Sequence, residues 1–360
     1  MKKYLIINPF GIGDLLFTTP MVRAIKSSYP DSFIGYWCNE RVGELLRSNP
    51  KIDRVFALSR GDIKRIHKNS PLKRITTLFK LINEIRRERF DIALDLSLDS
   101  RYGLWSKLAG IKKRIGFNYK NRGRFFTDKI DLTAYLGKHV IEHNLDLLRS
   151  VKIEPKDISP ELVISEEDKA KTRSILKEYG VIATDLLIGV APGAGASWGR
   201  AAIYKQWPAK KFAEVVNKAT KELNAKIIIL GSADEKPLAE IVLFNSIARN
   251  DDGRVINLIG KLNLKALAAV INELKLLICN DGGPLHMAVA LGVKTVSIFG
   301  PVDEKVYGPY PPGAKHIVIK RDISCRPCYK DFRFNGCLNN RKCLEDITVE
   351  EVYEKAKSLL

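Results

Sequence analysis

Short runs of apolar residues recur along this chain, and each is followed by a loop and then by a helical pattern. Residues 5–7 (Leu-Ile-Ile) begin the series, and residues 276–279 (Leu-Leu-Ile-Cys) form a late member. Polar residues do not alternate within these runs, so both faces of each strand must be buried. That is typical of a parallel sheet covered by helices on both sides. The chain is therefore predicted to be α/β.

The number of domains follows from the length and from one interruption of the pattern. A chain of 360 residues is too long for one ordinary core. The apolar runs stop at a polar, proline-bearing stretch near residues 152–165 and then start again. We predict two doubly wound domains, 1–158 and 159–347, followed by a terminal helix over 348–360 that a capping box at Thr348 begins.

Charge and hydropathy limit where the chain works and what it binds. No stretch reaches the ~20 apolar residues of a membrane span, and we expect the protein in the cytoplasm. The net charge is +19, and the basic excess is concentrated between residues 62 and 130. Such an excess attracts anionic partners. Aromatic residues are not interleaved with the basic ones as in nucleic-acid modules, so we expect no nucleic acid partner.

Ligands of open parallel sheets bind beyond the carboxyl ends of the strands, so the loops that follow strands are where chemistry is expected. The first, residues 8–14, has Gly11 and Gly13 for a tight turn and then Asp14. Asp14 has two interpretations. It is either a helix cap or a carboxylate at a site, ready to take a proton from a hydroxyl.

Three further loops lie in the second half. The one starting near Gly193 has small residues that can present backbone N–H groups to phosphate, and Lys205 can add a positive charge. Glu235 follows a strand and can accept ribose hydroxyls, or it only begins a helix. Asp281 opens the fourth loop, where two glycines bring the backbone to a ligand ahead of a helix N-terminus. The residues of this loop are Asp281, Gly282, Gly283 and His286, the last being either a ligand contact or a packed core histidine.

These loops, in this order, resemble those of the ADP-heptose:lipopolysaccharide heptosyltransferases. The similarity covers essentially the whole chain and includes residues 112–116, Lys205-x-Trp207-Pro208 and 299–301 (Phe-Gly-Pro). The resemblance implies a GT-B architecture, in which two Rossmann-like domains face a cleft. It also implies that the N-terminal domain binds the acceptor and the C-terminal domain the nucleotide sugar.

The resemblance further implies an activity and roles for residues. A heptose would move from ADP-L-glycero-D-manno-heptose to the inner core of lipopolysaccharide, with inversion and without a metal ion. Asp14 would be the base, Lys205 would neutralise the donor phosphates and Glu235 would hold the ribose. The diphosphate and heptose would be framed by Asp281, Gly282, Gly283 and His286. The loop after Gly193 is longer than in the shortest relatives, so Ser197 and Arg200 are added as phosphate candidates.

An anionic acceptor gives the basic N-terminal half an interpretation. Lys112, Lys113 and Arg114 are the candidates for acceptor anions. The enzyme would be peripheral to the cytoplasmic membrane, where basic residues can also bind the anionic leaflet. The wider set of basic candidates is Lys64, Arg65, Arg101, Arg122 and Arg124.

Four cysteines crowd into the last tenth of the chain with the spacing C-x2-C-x8-C-x5-C. They are Cys325, Cys328, Cys337 and Cys343. They predict either a structural zinc site or structural thiols and disulfides, although a cytoplasmic location disfavours stable disulfides. No other cofactor is expected.

Other functions stay open at this point. A glycosyltransferase with a different donor or acceptor has the same loops. A dinucleotide-dependent oxidoreductase or epimerase is disfavoured because the first loop lacks the third glycine of the dinucleotide fingerprint. A module that only binds nucleotide sugars has no need of a carboxylate at Asp14.

Overall fold

The structure is a computed structural model, and it describes residues 1–246 and 253–360, apart from the side chains of residues 196 and 197. The chain divides into two compact units, Met1–Val163 and Ile164–Leu360. The division lies five residues beyond the predicted 158/159 boundary. The predicted terminal helix, 348–360, lies within the second unit.

The first unit alternates strands and helices. Its elements are β1 (Lys3–Ile7), α1 (Ile12–Leu16), α2 (Thr19–Ser28), β2 (Phe33–Cys38), α3 (Glu40–Leu46), β3 (Arg54–Ala57), α4 (Arg60–Ile66), α5 (Pro71–Glu88), β4 (Ile92–Asp95), α6 (Ser100–Leu108), β5 (Lys113–Tyr119), β6 (Asp128–Leu132) and α7 (Val140–Arg149).

The second unit repeats this alternation and ends in small elements. They are α8 (Glu166–Glu178), β7 (Leu187–Ala191), a 3-10 stretch (Ala196–Lys205), α9 (Ala209–Glu222), β8 (Lys226–Ile229), a 3-10 turn (Ala233–Glu235), α10 (Lys236–Asn245), β9 (Val255–Asn257), α11 (Leu264–Glu273), β10 (Leu276–Asn280), α12 (Gly283–Ala290), β11 (Lys294–Ile298), α13 (Glu304–Tyr307), β12 (His316–Ile319), β13 (Tyr329–Lys330), β14 (Arg333–Phe334), α14 (Lys342–Glu345) and α15 (Val349–Lys357).

Each unit is built on one parallel six-stranded sheet. The first has the order β3-β2-β1-β4-β5-β6 and the second the order β12-β11-β10-β7-β8-β9. The strand order reverses between β1 and β4 in the first sheet and between β7 and β10 in the second. Loops at such a switch point diverge and leave a crevice for ligands. The prediction of two doubly wound α/β sheets is confirmed.

The apolar runs are buried on both faces, as their sequences require. In β1 every residue from Tyr4 to Ile7 is at most 1% exposed, and all of β10 is buried. Gly35 in β2 makes room for a covering aromatic residue, because a Cβ there would lie 2.3 Å from the Phe90 ring. In the second unit α15 closes the core with Val352 and Tyr353.

Within residues 1–246 and 253–360, no helix combines the length and the apolar character needed to cross a bilayer.

Candidate functional site

The loop after β1 is braced by two buried amides. Asn8 donates from Nδ2 to the Asp14 carbonyl at 2.8 Å, and Asn39 donates from Nδ2 to the carbonyl of Pro9 at 3.2 Å. Asp14 sits in the first turn of α1, where its Oδ2 accepts from the Gly11 N–H at 3.2 Å. The carboxylate therefore caps α1, and its half-buried side chain stays at the carboxyl edge of the sheet.

A cavity of about 880 Å³ opens at this same edge, beside the loop that carries Asp14. Its walls come from the segments that follow β1, β2, β3 and β4. Two of its three arginines are in ion pairs: Arg60 lies 3.6 Å from Asp99, and Arg65 lies 2.6 Å from Glu40. The charges that line it are Glu40, Arg41, Arg60, Asp62, Arg65 and Asp99. An anionic acceptor would have to compete with these carboxylates for the guanidinium groups.

The predicted anion candidates 112–114 lie elsewhere. They stand at the amino end of β5, and because the sheet is parallel this is the edge opposite Asp14. The Arg114 guanidinium donates to the carbonyls of Phe125 at 2.8 Å and Lys112 at 3.0 Å, so it holds local backbone. The structure therefore does not bring Lys112, Lys113 and Arg114 together with Asp14.

Asp95, at the end of β4, is a buried carboxyl group that the sequence patterns did not single out. It is 1% exposed, and its Oδ1 accepts from the Ser97 N–H at 2.8 Å. Its Oδ2 is buried and has no hydrogen-bond partner among the described residues. Burial raises the pKa of Asp95 to about 7, and the neighbouring charge of Asp99 adds to the shift. Its position at the carboxyl end of an apolar strand is the signal available in the sequence.

Asp95→Asn is expected to stabilise the protein increasingly as the pH rises. A pKa near 7 in the folded protein, against an ordinary value of 3.8, means that the folded state binds the proton more tightly. The stability from that proton is present below pH 4 and is lost as the pH rises through 7. The free energy of unfolding of the variant, relative to the unsubstituted protein, should increase by about 3 kcal/mol between pH 4.5 and 8. Urea unfolding at both pH values measures it.

The control for this substitution is Asp31→Asn, since Asp31 is exposed. The pH-dependent effect of burying Asp95 is the difference between the two variants. If both variants changed the free energy of unfolding with pH in the same way, burial would not raise the pKa of Asp95.

In the second unit the loops after β7 and β10 are tied together at the switch point by Asn280. This amide is 1% exposed. Its Nδ2 donates to the carbonyls of Pro192 at 2.8 Å and Gly193 at 3.2 Å. Its Oδ1 accepts from the Trp207 N–H at 2.9 Å. One side chain thus fastens both ends of the loop that carries Lys205.

A buried group of three titratable side chains lies beside this tie. Lys205 Nζ is 2.7 Å from Asp281 Oδ2, and His286 Nε2 is 3.9 Å from Asp281 Oδ1. All three residues are buried. The pKa of His286 is lowered to about 4, mainly by burial; the charge of Asp281 opposes this shift and that of Lys205 contributes to it. His286 is therefore neutral at neutral pH, and Asp281 offsets the Lys205 charge in the unliganded protein.

Glu235 is also placed at this edge, where it holds backbone. Its Oε1 accepts from the Gly195 N–H at 2.9 Å, and its Oε2 accepts from the Ser232 N–H at 2.8 Å. A Cβ at Gly193 would come within 1.9 Å of Glu235 Oε1, so this approach requires glycine. Oε2 also accepts from the Ser232 hydroxyl at 3.1 Å, so Oε1 is the oxygen whose second lone pair leaves room for the predicted ribose contact.

The remaining predicted residues complete the edge. Gly282 and Gly283 lead into α12, and a Cβ at Gly282 would lie 3.4 Å from the backbone of Ala194. The structure therefore gathers Gly193, Lys205, Glu235, Asp281, Gly282, Gly283 and His286 at one edge of the second sheet. Arg200 is exposed on the loop after β7, and the Ser197 side chain lies outside the described residues.

The cysteine-rich segment, residues 325–343, packs on this loop through aromatic rings. The Trp198 ring centroid lies 5.1 Å from those of both Tyr329 and Phe334, with the rings tilted, and Lys205 Nζ lies 5.0 Å from the Trp198 centroid. The Arg341 guanidinium donates to the Ile203 carbonyl at 3.1 Å. Sequence spacing had drawn attention to the cysteines alone, because contacts between residues so far apart leave no local pattern.

The thiols themselves are free. Cys337 accepts a hydrogen bond from the Arg341 N–H at 3.3 Å, and burial raises the pKa of Cys343 to about 11. Among residues 1–246 and 253–360, no three His, Cys, Asp or Glu side chains are grouped so that they could hold a metal ion. The zinc site stays a prediction.

With this geometry in place, comparison with known proteins is informative. The family described as Glycosyltransferase family 9 (heptosyltransferase) matches residues 78–338. Lipooligosaccharide heptosyltransferase 2 of Campylobacter jejuni is 28% identical, over 99% of this chain and 98% of that protein. Lipopolysaccharide heptosyltransferase 3 of Escherichia coli is 25% identical over 83% of each chain.

Solved structures are similar over the same length. A glycosyl transferase family 9 protein from Veillonella parvula has a TM-score of 0.82 and 25% identity, covering 99% of this chain and 97% of that one. ADP-heptose lps heptosyltransferase II of E. coli has a TM-score of 0.76 and 24% identity, covering 100% of this chain and 98% of that one. The second likeness concerns the fold alone.

Proposed function

The chain belongs to glycosyltransferase family 9, the heptosyltransferases, and we propose that it moves a heptose from ADP-L-glycero-D-manno-heptose to the inner core of lipopolysaccharide. The observation that supports this most is the buried group Lys205, Asp281 and His286 at the switch point of the second sheet. The two relatives from Campylobacter jejuni and Escherichia coli carry heptosyltransferase in their names and match 99% and 83% of this chain.

In this proposal the second unit holds the donor. The diphosphate lies against the loop after β7 and the start of α12, where backbone N–H groups and the helix dipole favour an anion. When the donor binds, the Lys205 amine weakens its ion pair with Asp281 and contacts the phosphates. Glu235 accepts ribose hydroxyls while it continues to hold the Gly195 N–H. Neutral His286 donates or accepts one hydrogen bond at the diphosphate or the sugar.

The first unit provides the acceptor side and the base. Asp14 takes the proton of the acceptor hydroxyl as its oxygen attacks the anomeric carbon of the heptose. The new glycosidic bond forms on the face opposite the leaving group, and the bond from that carbon to the phosphate oxygen breaks. ADP leaves with the bonding electron pair, and the anomeric configuration is inverted.

Charge on the departing ADP must be stabilised, and the proposal assigns this to Lys205 and to the N-terminus of α12. An amine already held by a buried carboxylate needs little reorganisation when negative charge develops next to it. The reaction is therefore proposed to need no metal ion and no cofactor. No Asp-x-Asp pair follows a strand in this sequence to hold such an ion.

The acceptor also determines where in the cell the enzyme is proposed to act. A lipopolysaccharide core is attached to a lipid and carries anionic groups, so the enzyme is proposed to act in the cytoplasm, peripheral to the cytoplasmic membrane. The excess of basic residues, with a net charge of +19, supports attraction to an anionic leaflet.

Calorimetric titration with ADP, UDP and NAD tests the donor. We expect ADP to bind and the other two to bind at least about tenfold more weakly, a difference of about 1.4 kcal/mol. Incubation with ADP-heptose and a heptose-deficient core should then extend the core by one heptose, detected by mass spectrometry, with equal rates with and without EDTA. Preference for NAD would overturn the proposal, and loss of activity with EDTA would refute its metal-independent part.

A further inference from the structure

We propose that the surface formed by the end of α4 and the first half of α5 docks the protein on an anionic lipid bilayer. This goes beyond general attraction, since it names one surface and one partner. It takes one premise from the proposed function, namely that the acceptor is anchored to lipid. The surface is called here the apolar stripe and consists of Ile66, Leu72, Ile75 and Phe79.

The apolar stripe is an unusual concentration of exposed apolar area. Its four side chains are 48, 72, 52 and 55% exposed, and they fall within fourteen consecutive residues. Single exposed apolar residues need no explanation, but a contiguous patch marks an interaction surface. Water contact is unfavourable for every one of these side chains, and a partner that covers them removes it.

The helix does not need these residues for its own core. α5 packs on the first unit through Leu81, Ile82 and Ile85, which are at most 5% exposed. Leu72, Ile75 and Phe79 recur at spacings of three and four, so they share a second face of the same helix. An amphipathic helix with one face against its protein and another apolar face in water fits a membrane interface.

The charges around the apolar stripe select an anionic partner. Lys64, Lys68, Lys73 and Lys80 are exposed on α4, α5 and the turn between them. From residue 60 to residue 80 the only acidic side chain is Asp62, which is buried. Lysines beside an apolar face can extend their chains along the bilayer surface and place their ammonium groups among anionic headgroups.

The position of the apolar stripe in the fold matches a membrane-bound acceptor. α4 begins at Arg60 and ends at Ile66. Arg60 and Arg65 line the cavity at the carboxyl edge of the first sheet, whereas Ile66 belongs to the stripe. One short helix therefore joins the surface to the cavity. Docking by the stripe would hold the cavity near the headgroup layer, where the glycan of a lipid-anchored acceptor begins.

Co-sedimentation with vesicles of phosphatidylglycerol and phosphatidylcholine tests the surface directly. The triple variant Leu72→Ser/Ile75→Ser/Phe79→Ser removes most of the stripe. Its matched control is Leu108→Ser/Leu136→Ser/Ile182→Ser, which removes three other exposed apolar side chains. We expect the stripe variant to bind at least about tenfold more weakly than the unsubstituted protein, and the control to bind normally. Equal binding by the stripe variant would overturn the proposal.

A second pair of variants tests the position of the charges, because both variants carry the same net charge. Lys64, Lys68, Lys73 and Lys80 are changed to Gln, and the control carries Gln at the exposed Lys177, Lys210, Lys221 and Lys275. Binding should fall about tenfold only in the first variant and should fall with added salt. Equal losses in both variants would mean that net charge alone drives binding and would overturn the assignment to this surface.

Kinetics separates this inference from the proposed function. Heptose transfer to an acceptor in vesicles should show a KM raised about tenfold in the stripe variant, while transfer to a deacylated, water-soluble core should not change. A reduced rate with the soluble core would overturn the docking role in favour of a structural one. Lack of transfer by the unsubstituted protein to either acceptor would refute the proposed function and leave vesicle binding to decide on the surface.

Size-exclusion chromatography tests whether another protein molecule, and not a membrane, covers the apolar stripe. If the unsubstituted protein is a dimer that the stripe variant converts to a monomer, the stripe is a protein interface and the membrane proposal is wrong. A thermal midpoint within a few degrees of the unsubstituted protein establishes that the stripe variant is folded.

Discussion

Asp14→Ala is expected to abolish heptose transfer and to leave ADP binding largely intact. Loss of a general base lowers the rate by about 10²–10⁴-fold. The residues proposed to bind the donor belong to the second unit, and Asp14 belongs to the first, so the substitution removes none of the proposed ADP contacts. Single-turnover transfer and calorimetric ADP binding on the same preparation measure both effects.

Asp14→Ala removes a capping hydrogen bond as well as the proposed base, and Asp14→Asn separates the two effects. Asp14 accepts from the Gly11 N–H, and an alanine loses that bond together with the base. Asparagine keeps an oxygen that can accept the same hydrogen bond but cannot take a proton from a hydroxyl at neutral pH. Stability should therefore be retained in Asp14→Asn while transfer is lost. Turnover at a substantial fraction of the original rate in Asp14→Asn would mean that Asp14 is only a cap.

Lys205→Met is expected to lower both the stability of the protein and its affinity for ADP. Removing one partner of a buried ion pair leaves the other charge uncompensated, at a cost of about 3–5 kcal/mol. Lys205 and Asp281 form such a pair at 2.7 Å, and both are buried. Urea unfolding measures the free energy of unfolding. Calorimetry at a temperature where the variant is folded measures the affinity.

The double variant Lys205→Met/Asp281→Asn separates structure from function. It has no uncompensated charge, so most of the lost stability should return. ADP affinity should stay low, because the amine proposed to face the phosphates is still missing. Recovery of ADP binding in the double variant would contradict the phosphate role of Lys205 and would leave the pair as a structural element.

The fold could be predicted because its determinants are local. Apolar runs such as those of β1 and β10 require burial on both faces, and their alternation with helices leaves few arrangements besides two parallel sheets. The strand-end loops then identify one edge of each sheet. Most predicted donor residues lie at that edge for this reason, since position after a strand suffices to place a residue there.

Pairing between distant side chains could not be predicted in this way. Lys205 appeared as a cation for phosphate, but its partner Asp281 lies 76 positions away along the chain. Arg114 appeared as an anion site, but it holds nearby carbonyl groups, and its place at the start of β5 puts it on the wrong edge for Asp14. The packing of Trp198 leaves no local pattern, because its aromatic partners belong to the cysteine-rich segment.

The tie made by Asn280 has a consequence for how the donor is received. Because this amide fastens the loop at Pro192 and at Trp207, only the part between them can rearrange. Lys205 stands two residues from the second anchor, and its amine is paired with the buried Asp281 carboxylate at 2.7 Å, so the folded protein already restricts it. The entropy of ordering it is lost at folding and not at donor binding, and the ligand meets a site that is already preorganised.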